Sequence, residues 1–209
     1  MFGEFRQQAV IGRQPVDGGQ FAGGKPAADR AKRSMEDTSL APKVRDYARA
    51  AYYYYTEKWD SAYVAYDALR GSDAKLESEV VLRMAKSKFR QNDYDGMRAA
   101  LKLGAKFAKN DAFARTAARL RVEASLADSA LGEKEHADSL KAFLDKFPKG
   151  DDAAVLKYRY ASYLEQNKQQ KQAKRYYMQL LTTSTPYRDS AFVAIWRLRS
   201  VLAAPETLA

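Results

Sequence analysis

Three short segments of this chain, Trp59-Asp-Ser-Ala62, Tyr94-Asp-Gly-Met97 and Gln170-Lys-Gln-Ala173, each sit where one helical pattern gives way to the next. The first two lie 35 residues apart. Self-similarity at a period of that size marks a chain built from stacked supersecondary units. Such a unit is a helix pair whose apolar face cannot be buried alone, so it must stack on its neighbours. The residue types around the joints recur as well. Ala50, Ala85 and Ala161 hold the same place before their joints, while Tyr66 and Tyr177 follow Ala62 and Ala173 by four. Small residues let two backbones approach, and rings fill the space between pairs.

The rest of the chain fits that frame. Thr38 or Ser39 can cap a helix, and Pro42 suits a first helical turn. Helical periodicity then predicts paired helices over 44–58 and 60–70, 76–91 and 93–109, 111–131 and 133–147, and 152–167 and 169–182, with one more over 188–203. Gly71-Ser72, Pro148 with Gly150, Pro186 and Pro205 stop them. No stretch alternates with period two, so no sheet is expected. Before this region, residues 1–37 carry six of the eleven glycines and no periodicity. They read as a flexible Gly-rich linker with a short helix around 29–35, ahead of a repeat domain over 38–209. Gly18-Gly19 and Gly23-Gly24 follow no strand and precede no Gly-Lys-Ser/Thr, so they do not read as a phosphate loop.

Two motifs carry a family likeness. Asn92-Asp93-Tyr94-Asp95 resembles the Gly-Asp-Tyr-Asp turn of the tetratricopeptide repeat family, with Asn in place of Gly. Phe143-Leu144-Asp145-Lys146-Phe147-Pro148 resembles the Phe-Leu-x-x-Tyr-Pro ending of bacterial envelope members of that family, such as the periplasmic cell-division coordinator and the outer-membrane assembly lipoprotein. The likeness covers about residues 42–203. It departs from the family at His136, where a small residue is expected, at Lys88, where an aromatic is expected, and in a fifth unit with only its first helix. The resemblance implies an all-α fold: a right-handed superhelical α-solenoid of about four helix-turn-helix repeats plus a C-terminal capping helix. The first helix of each pair would line the concave face. It also implies a non-catalytic scaffold for protein–protein interaction in the cell envelope.

The superhelical region of soluble lytic transglycosylases, which act on peptidoglycan, is similar in character, being rich in Ala and Tyr, basic and built of helix pairs. Their catalytic domain uses a Glu-Ser dipeptide followed by a Gly-Leu-Met-Gln run. Glu77-Ser78 is present here without that run, so this likeness also points to a scaffold rather than a catalyst.

Residue chemistry agrees with a chain that binds rather than reacts. There is no cysteine, which excludes disulfides and thiolate zinc sites. The single histidine, His136, reads as structural, and no metal or cofactor is expected. The carboxylate pairs Glu77/Glu79, Asp93/Asp95, Glu133/Glu135 and Asp151/Asp152 all fall at helix starts, where they complement the helix dipole. No apolar run approaches the about 20 residues of a membrane-spanning helix. The opening Met1-Phe-Gly-Glu-Phe has neither the basic nor the apolar region of a signal peptide.

Net charge is +10, and the excess lies in the repeat region rather than in a tail. Cations are interspersed with acids and no nucleic-acid motif is present, which disfavours nucleic acid and favours an acidic protein or peptide, with an anionic glycan such as peptidoglycan as the other option. On the expected concave face, Tyr47, Tyr54 and Tyr55 form an aromatic end, with Tyr53 assigned to the core. Arg83, Lys86 and Arg90, spaced three and four apart, share one helix face. Arg159 and Ser162 take similar places in the fourth repeat. Ile195 and Trp196 on the last helix are positioned either to cap the fourth repeat or to meet another copy.

Overall fold

A computed structural model describes residues 24–73 and 76–203. Among the described residues the chain is all-α, with ten α-helices, one 3-10 turn and no strand. In order these are α1 (Gly24–Glu36), α2 (Pro42–Tyr55), α3 (Trp59–Asp67), α4 (Glu77–Arg90), α5 (Tyr94–Leu103), the 3-10 turn (Ala105–Phe107), α6 (Asp111–Ala127), α7 (Glu133–Lys146), α8 (Asp151–Gln166), α9 (Gln170–Leu181) and α10 (Arg188–Ala203). The chain divides into two compact units, one up to Ala124 and one from Ser125 onward.

Within the first unit each of the helices α1 to α5 packs on the next. Ala50, Tyr54, Ala62, Tyr66, Val80, Met84, Ala85, Met97, Leu101, Phe113 and Leu120 form its continuous core. The second unit is built the same way, with α7 on α8, α8 on α9 and α9 on α10. Its buried residues include Leu140, Phe143, Leu156, Leu164, Ala173, Tyr177, Leu180 and Leu198.

The recurrence read from the sequence has a backbone counterpart. After α2, α4 and α8 the chain turns through one left-handed residue: Glu57 at φ 60°, Asn92 at φ 59° and Lys168 at φ 60°. The next N–H then reaches back to the helix. Lys58 N–H donates to the Tyr53 carbonyl at 2.9 Å, Asp93 to Lys88 at 3.0 Å and Gln169 to Leu164 at 2.8 Å. This is the Schellman closure, which satisfies carbonyls at a helix end and sends the chain back antiparallel. The residues on either side of each turn, alanine at five of the six places and Met97 at the sixth, are sealed. Ala50 and Ala62, Ala85 and Met97, and Ala161 and Ala173 are all buried, as are Tyr66, Leu101 and Tyr177 four residues further on.

The predicted boundaries differ from the observed ones in places with a physical reason. The helix expected over 93–109 stops at Leu103. A side chain at Gly104 would place its Cβ 2.2 Å from Phe113 Cζ, so the chain bends there against the Phe113 ring and resumes as the 3-10 turn. The helix expected over 111–131 ends at Ala127, where the Asp128 carboxylate accepts the Ala130 N–H at 3.1 Å and forms a turn instead. In the segment read as linker, the short helix expected around 29–35 runs the full 13 residues of α1. It packs on α2 and buries Ala27, Ala28 and Ala31. Alanine is a strong helix former, and these three alanines share the face turned to α2. Residues 1–23 of that segment lie outside the described residues.

Candidate partner-binding surface

In the first unit the sequence-selected residues Tyr47, Tyr54, Tyr55 and Arg83 come together. Docking of α4 onto α3 carries Arg83 over the tyrosines of α2. Its guanidinium lies 5.1 Å from the Tyr54 ring centre and 5.8 Å from that of Tyr55. Tyr54 packs edge-on against Tyr55 at 5.6 Å and Trp59 at 5.2 Å, and Tyr47 against Tyr66 at 5.8 Å. Arg83 Nε donates to the Glu79 carboxylate at 2.7 Å, one turn earlier on α4.

The burial of Tyr54 corrects its expected place on the open face, while Tyr47, Tyr55 and Arg83 are half-buried. Tyr54 is only 2% exposed and belongs to the core. Tyr53, assigned to the core from the repeat pattern, is half-buried at its edge. Tyr54 lies one turn after the fully buried Ala50, so α3 and α4 close over that stripe, while Tyr53 packs against the edge of the same core and stays partly open. Arg83 is mostly enclosed, and its charge is met by Glu79 and by ring faces. Burial opposes its charged form, but the Glu79 carboxylate together with the Tyr66 and Tyr55 hydroxyls outweighs that and raises its pKa above the usual arginine value. Burial also raises the Tyr47 hydroxyl, helped by the Glu79 charge, and pushes Tyr66 well above the usual tyrosine range. The group is therefore a packing and electrostatic link between α2 and α4.

Lys86 and Arg90 lie half-buried along the same helix. Lys88, which departs from the family pattern, has its ammonium 5.0 Å from the Tyr63 ring centre and 3.2 Å from Asp93 Oδ2. It braces the joint between α4 and α5. Asp93 also caps α5 by accepting the Gly96 N–H at 2.8 Å. That bond and the Lys88 contact hold its carboxyl below the usual aspartate value.

Arg159 and Ser162 lie half-buried on α8 in the second unit. The link there centres on Glu165, which sequence reasoning did not single out. Tyr177 Oη on α9 donates to its carboxylate at 3.0 Å, and Arg197 on α10 donates to both of its oxygens at 2.8 Å. One carboxylate at the end of α8 thus ties down two following helices. Burial, then the Glu165 charge, raises the Tyr177 pKa well beyond the usual value. Tyr158 stacks on Tyr187 at 5.2 Å and leans on Tyr177 at 5.7 Å.

A depression of about 490 Å³ lies between α2 and α3. Asp46, Arg49, Tyr53, Asp60 and Val64 are among the residues that line it. It is shallow and mixed in polarity, and only the packing of two helices creates it.

Comparison of the chain with protein-family models, with curated proteins and with solved structures returns no match. Chemistry must therefore be read from the residues. Among the described residues no group of three His, Cys, Asp or Glu is placed to hold a metal ion. No described helix is long and apolar enough to cross a membrane. His136 lies half-buried in the first turn of α7, and its backbone N–H donates to the Gly132 carbonyl at 3.1 Å. The carboxylate pairs stand at or within helix first turns, as the dipole argument expects. Glu77 in addition meets Lys106 at 2.7 Å.

Proposed function

We propose that this chain is a non-catalytic helical-repeat scaffold of the tetratricopeptide type that holds an acidic protein or peptide segment, with its helix pairs wound as a right-handed superhelical α-solenoid. The observation that carries the reading is the recurring joint. Three helix pairs turn through one left-handed residue at the same place, close with the same backbone bond and bury alanines at five of six matching places. A chain that spends its sequence on repeating one packing unit presents a long surface of first helices, and such surfaces bind extended partners. The charge excess of +10 selects acidic ones. A cell-envelope setting is supported by the likeness of the segment from Phe143 to Pro148 to envelope members of the family.

With Tyr54 and Arg83 committed to packing, the binding role on α4 passes to Lys86 and Arg90. The test is capture from cell-envelope extract with wild type beside a Lys86→Glu/Arg90→Glu variant of matched helical circular dichroism. The captured protein is then purified and titrated onto both forms. A partner that binds wild type and loses at least about tenfold in affinity for the variant supports the reading. Equal binding to both forms, or retention of purified peptidoglycan alone, refutes it.

A further inference from the structure

Helix α9 carries a cationic face that its own unit leaves unneutralised. Lys171, Arg175 and Met178 follow one another at spacings of four and three, so they share one stripe. Lys171 and Arg175 are exposed, and Met178 is 51% exposed. Lys174 borders the stripe, and the exposed Lys168 precedes it at the left-handed joint. Among the described residues no acid pairs with any of these four cations. Other helices place an acid one turn from an exposed lysine: Lys32 meets Glu36, Lys134 meets Asp138 and Lys141 meets Asp145. No acid occurs between Glu165 and Asp189, and Gln169, Gln170, Gln172 and Gln179 fill the polar places of α9 instead. Glu165, beside the joint, is held by Tyr177 and Arg197. Asp151, Asp152 and Asp189 stand in the first turns of α8 and α10, by the opposite end of α9.

The arrangement costs the fold stability. Lys171 lies in the first turn of α9, where the helix dipole disfavours a cation, and like charges follow it one turn on at Lys174 and Arg175. Internal packing offers nothing in return, so the counter-charge comes from outside the chain. The chemistry of the face selects its source. The two rings next in sequence turn inward: Tyr177 is buried, and Tyr176 packs edge-on against Tyr160 at 5.0 Å. No ring is left on the stripe for stacking nucleic-acid bases. Three of the four cations are lysines, point charges without the planar fork that reads one carboxylate or phosphate at a time. Lysine-rich charge with one apolar side chain in line suits a plane of anionic headgroups, which presents many charges together and an acyl boundary for Met178.

We propose that the α9 face docks this chain peripherally on an anionic lipid bilayer, with Lys168, Lys171, Lys174 and Arg175 over the headgroups and Met178 dipping between them. Each Lys or Arg held near such a surface strengthens binding about fivefold. The contact is electrostatic, so it weakens as salt rises. It uses neither Lys86 nor Arg90, so its failure and the failure of the scaffold reading are separate results.

The experiment is flotation of the full chain with vesicles of phosphatidylcholine alone and of phosphatidylcholine with about 30% phosphatidylglycerol. Wild type is expected to float with the anionic vesicles only, and to be released as salt rises from about 0.1 M to about 0.5 M. The Lys168→Gln/Lys171→Gln/Lys174→Gln/Arg175→Gln variant should bind about 100-fold more weakly or worse, while keeping wild-type circular dichroism and at least wild-type Tm. A control of the same net charge, Lys25→Gln/Lys58→Gln/Lys102→Gln/Lys109→Gln, removes exposed cations elsewhere and should lose less than about tenfold. The chain has no cysteine, so a polarity-sensitive dye can be placed at Met178→Cys or at Lys102→Cys. Anionic vesicles should shift the emission of the first to the blue and leave the second unchanged. Absence of flotation, equal losses in the two quadruple variants, or no shift from the dye at position 178 would each overturn the proposal. So would tighter α9-dependent binding to a DNA duplex or to polyglutamate at matched anion concentration.

Discussion

Left-handed backbone at Glu57 and Lys168 is a local cost that the repeat geometry imposes, and relieving it gives a quantitative test. Both residues sit at φ 60°, a conformation in which an L side chain crowds the following carbonyl. That costs about 1–2 kcal/mol for a residue with a Cβ. Glycine removes the clash but loses more entropy on folding, which returns about 0.4–1 kcal/mol. Each of Glu57→Gly and Lys168→Gly should therefore stabilise the chain by about 0.5–1 kcal/mol. The two sites lie in different units and share no partner, so the double variant should gain about 1–2 kcal/mol. For a chain of this length that is about 2–8 °C in Tm. Asn92 at φ 59° should gain less from glycine, because asparagine tolerates this region better than other residues. Thermal and urea unfolding followed by circular dichroism at constant pH measure all five proteins. If Glu57→Gly and Lys168→Gly are both neutral or destabilising, the account of the recurring joint as a shared, strained turn is wrong.

Gly104→Ala should destabilise by about 1–3 kcal/mol, because its Cβ would fall 2.2 Å from Phe113 Cζ, and the Tm of Gly104→Ala beside that of Gly104→Ala/Phe113→Leu reports whether the ring is the obstacle. Asp93→Ala should cost about 1 kcal/mol through loss of the α5 cap, while Lys58→Asp and Gln169→Asp, at the equivalent joints that lack a side-chain cap, should gain about 0.5–1 kcal/mol in urea unfolding. Because the Asp93 pKa is lowered in the fold, its contribution is complete above the ordinary aspartate value of 3.8 and fades as pH falls through the lower folded value; stability curves of wild type and Asp93→Asn should converge in acid. Tyr47, Tyr66 and Tyr177 are shifted the opposite way, so their contribution is intact below the ordinary value of 10.0 and is lost as pH rises above it. Tyrosinate absorbance should therefore appear together with loss of helix in alkali, and complete ionisation of a still-helical chain would contradict the assigned burial.

How much of this was legible beforehand differs from residue to residue. The joints were legible because their requirements are local: a stop, a turn and a small residue one helical turn to either side. Ala50, Ala62, Ala85, Ala161 and Ala173 are all buried, as their places in the pattern demand. The full burial of Tyr54 rather than Tyr53 was not legible. Four successive tyrosines carry no contrast in polarity, so nothing in the run itself says which ring faces the core. The same holds for Arg83. Its spacing with Lys86 and Arg90 placed it on a common face, but the ring faces that enclose it come from a helix nearly thirty residues away in the chain.

The sequence alone determined that this protein is helical, where its helices turn back and which small residues lie between them, because propensity, capping and periodicity act over a single turn of backbone. Tertiary structure decided which tyrosine is fully buried, how Glu165 engages Arg197, where Gly104 bends the chain and that α10 keeps an apolar face outward. Each of these depends on which atoms of a distant helix arrive at a given side chain, and no local pattern encodes that.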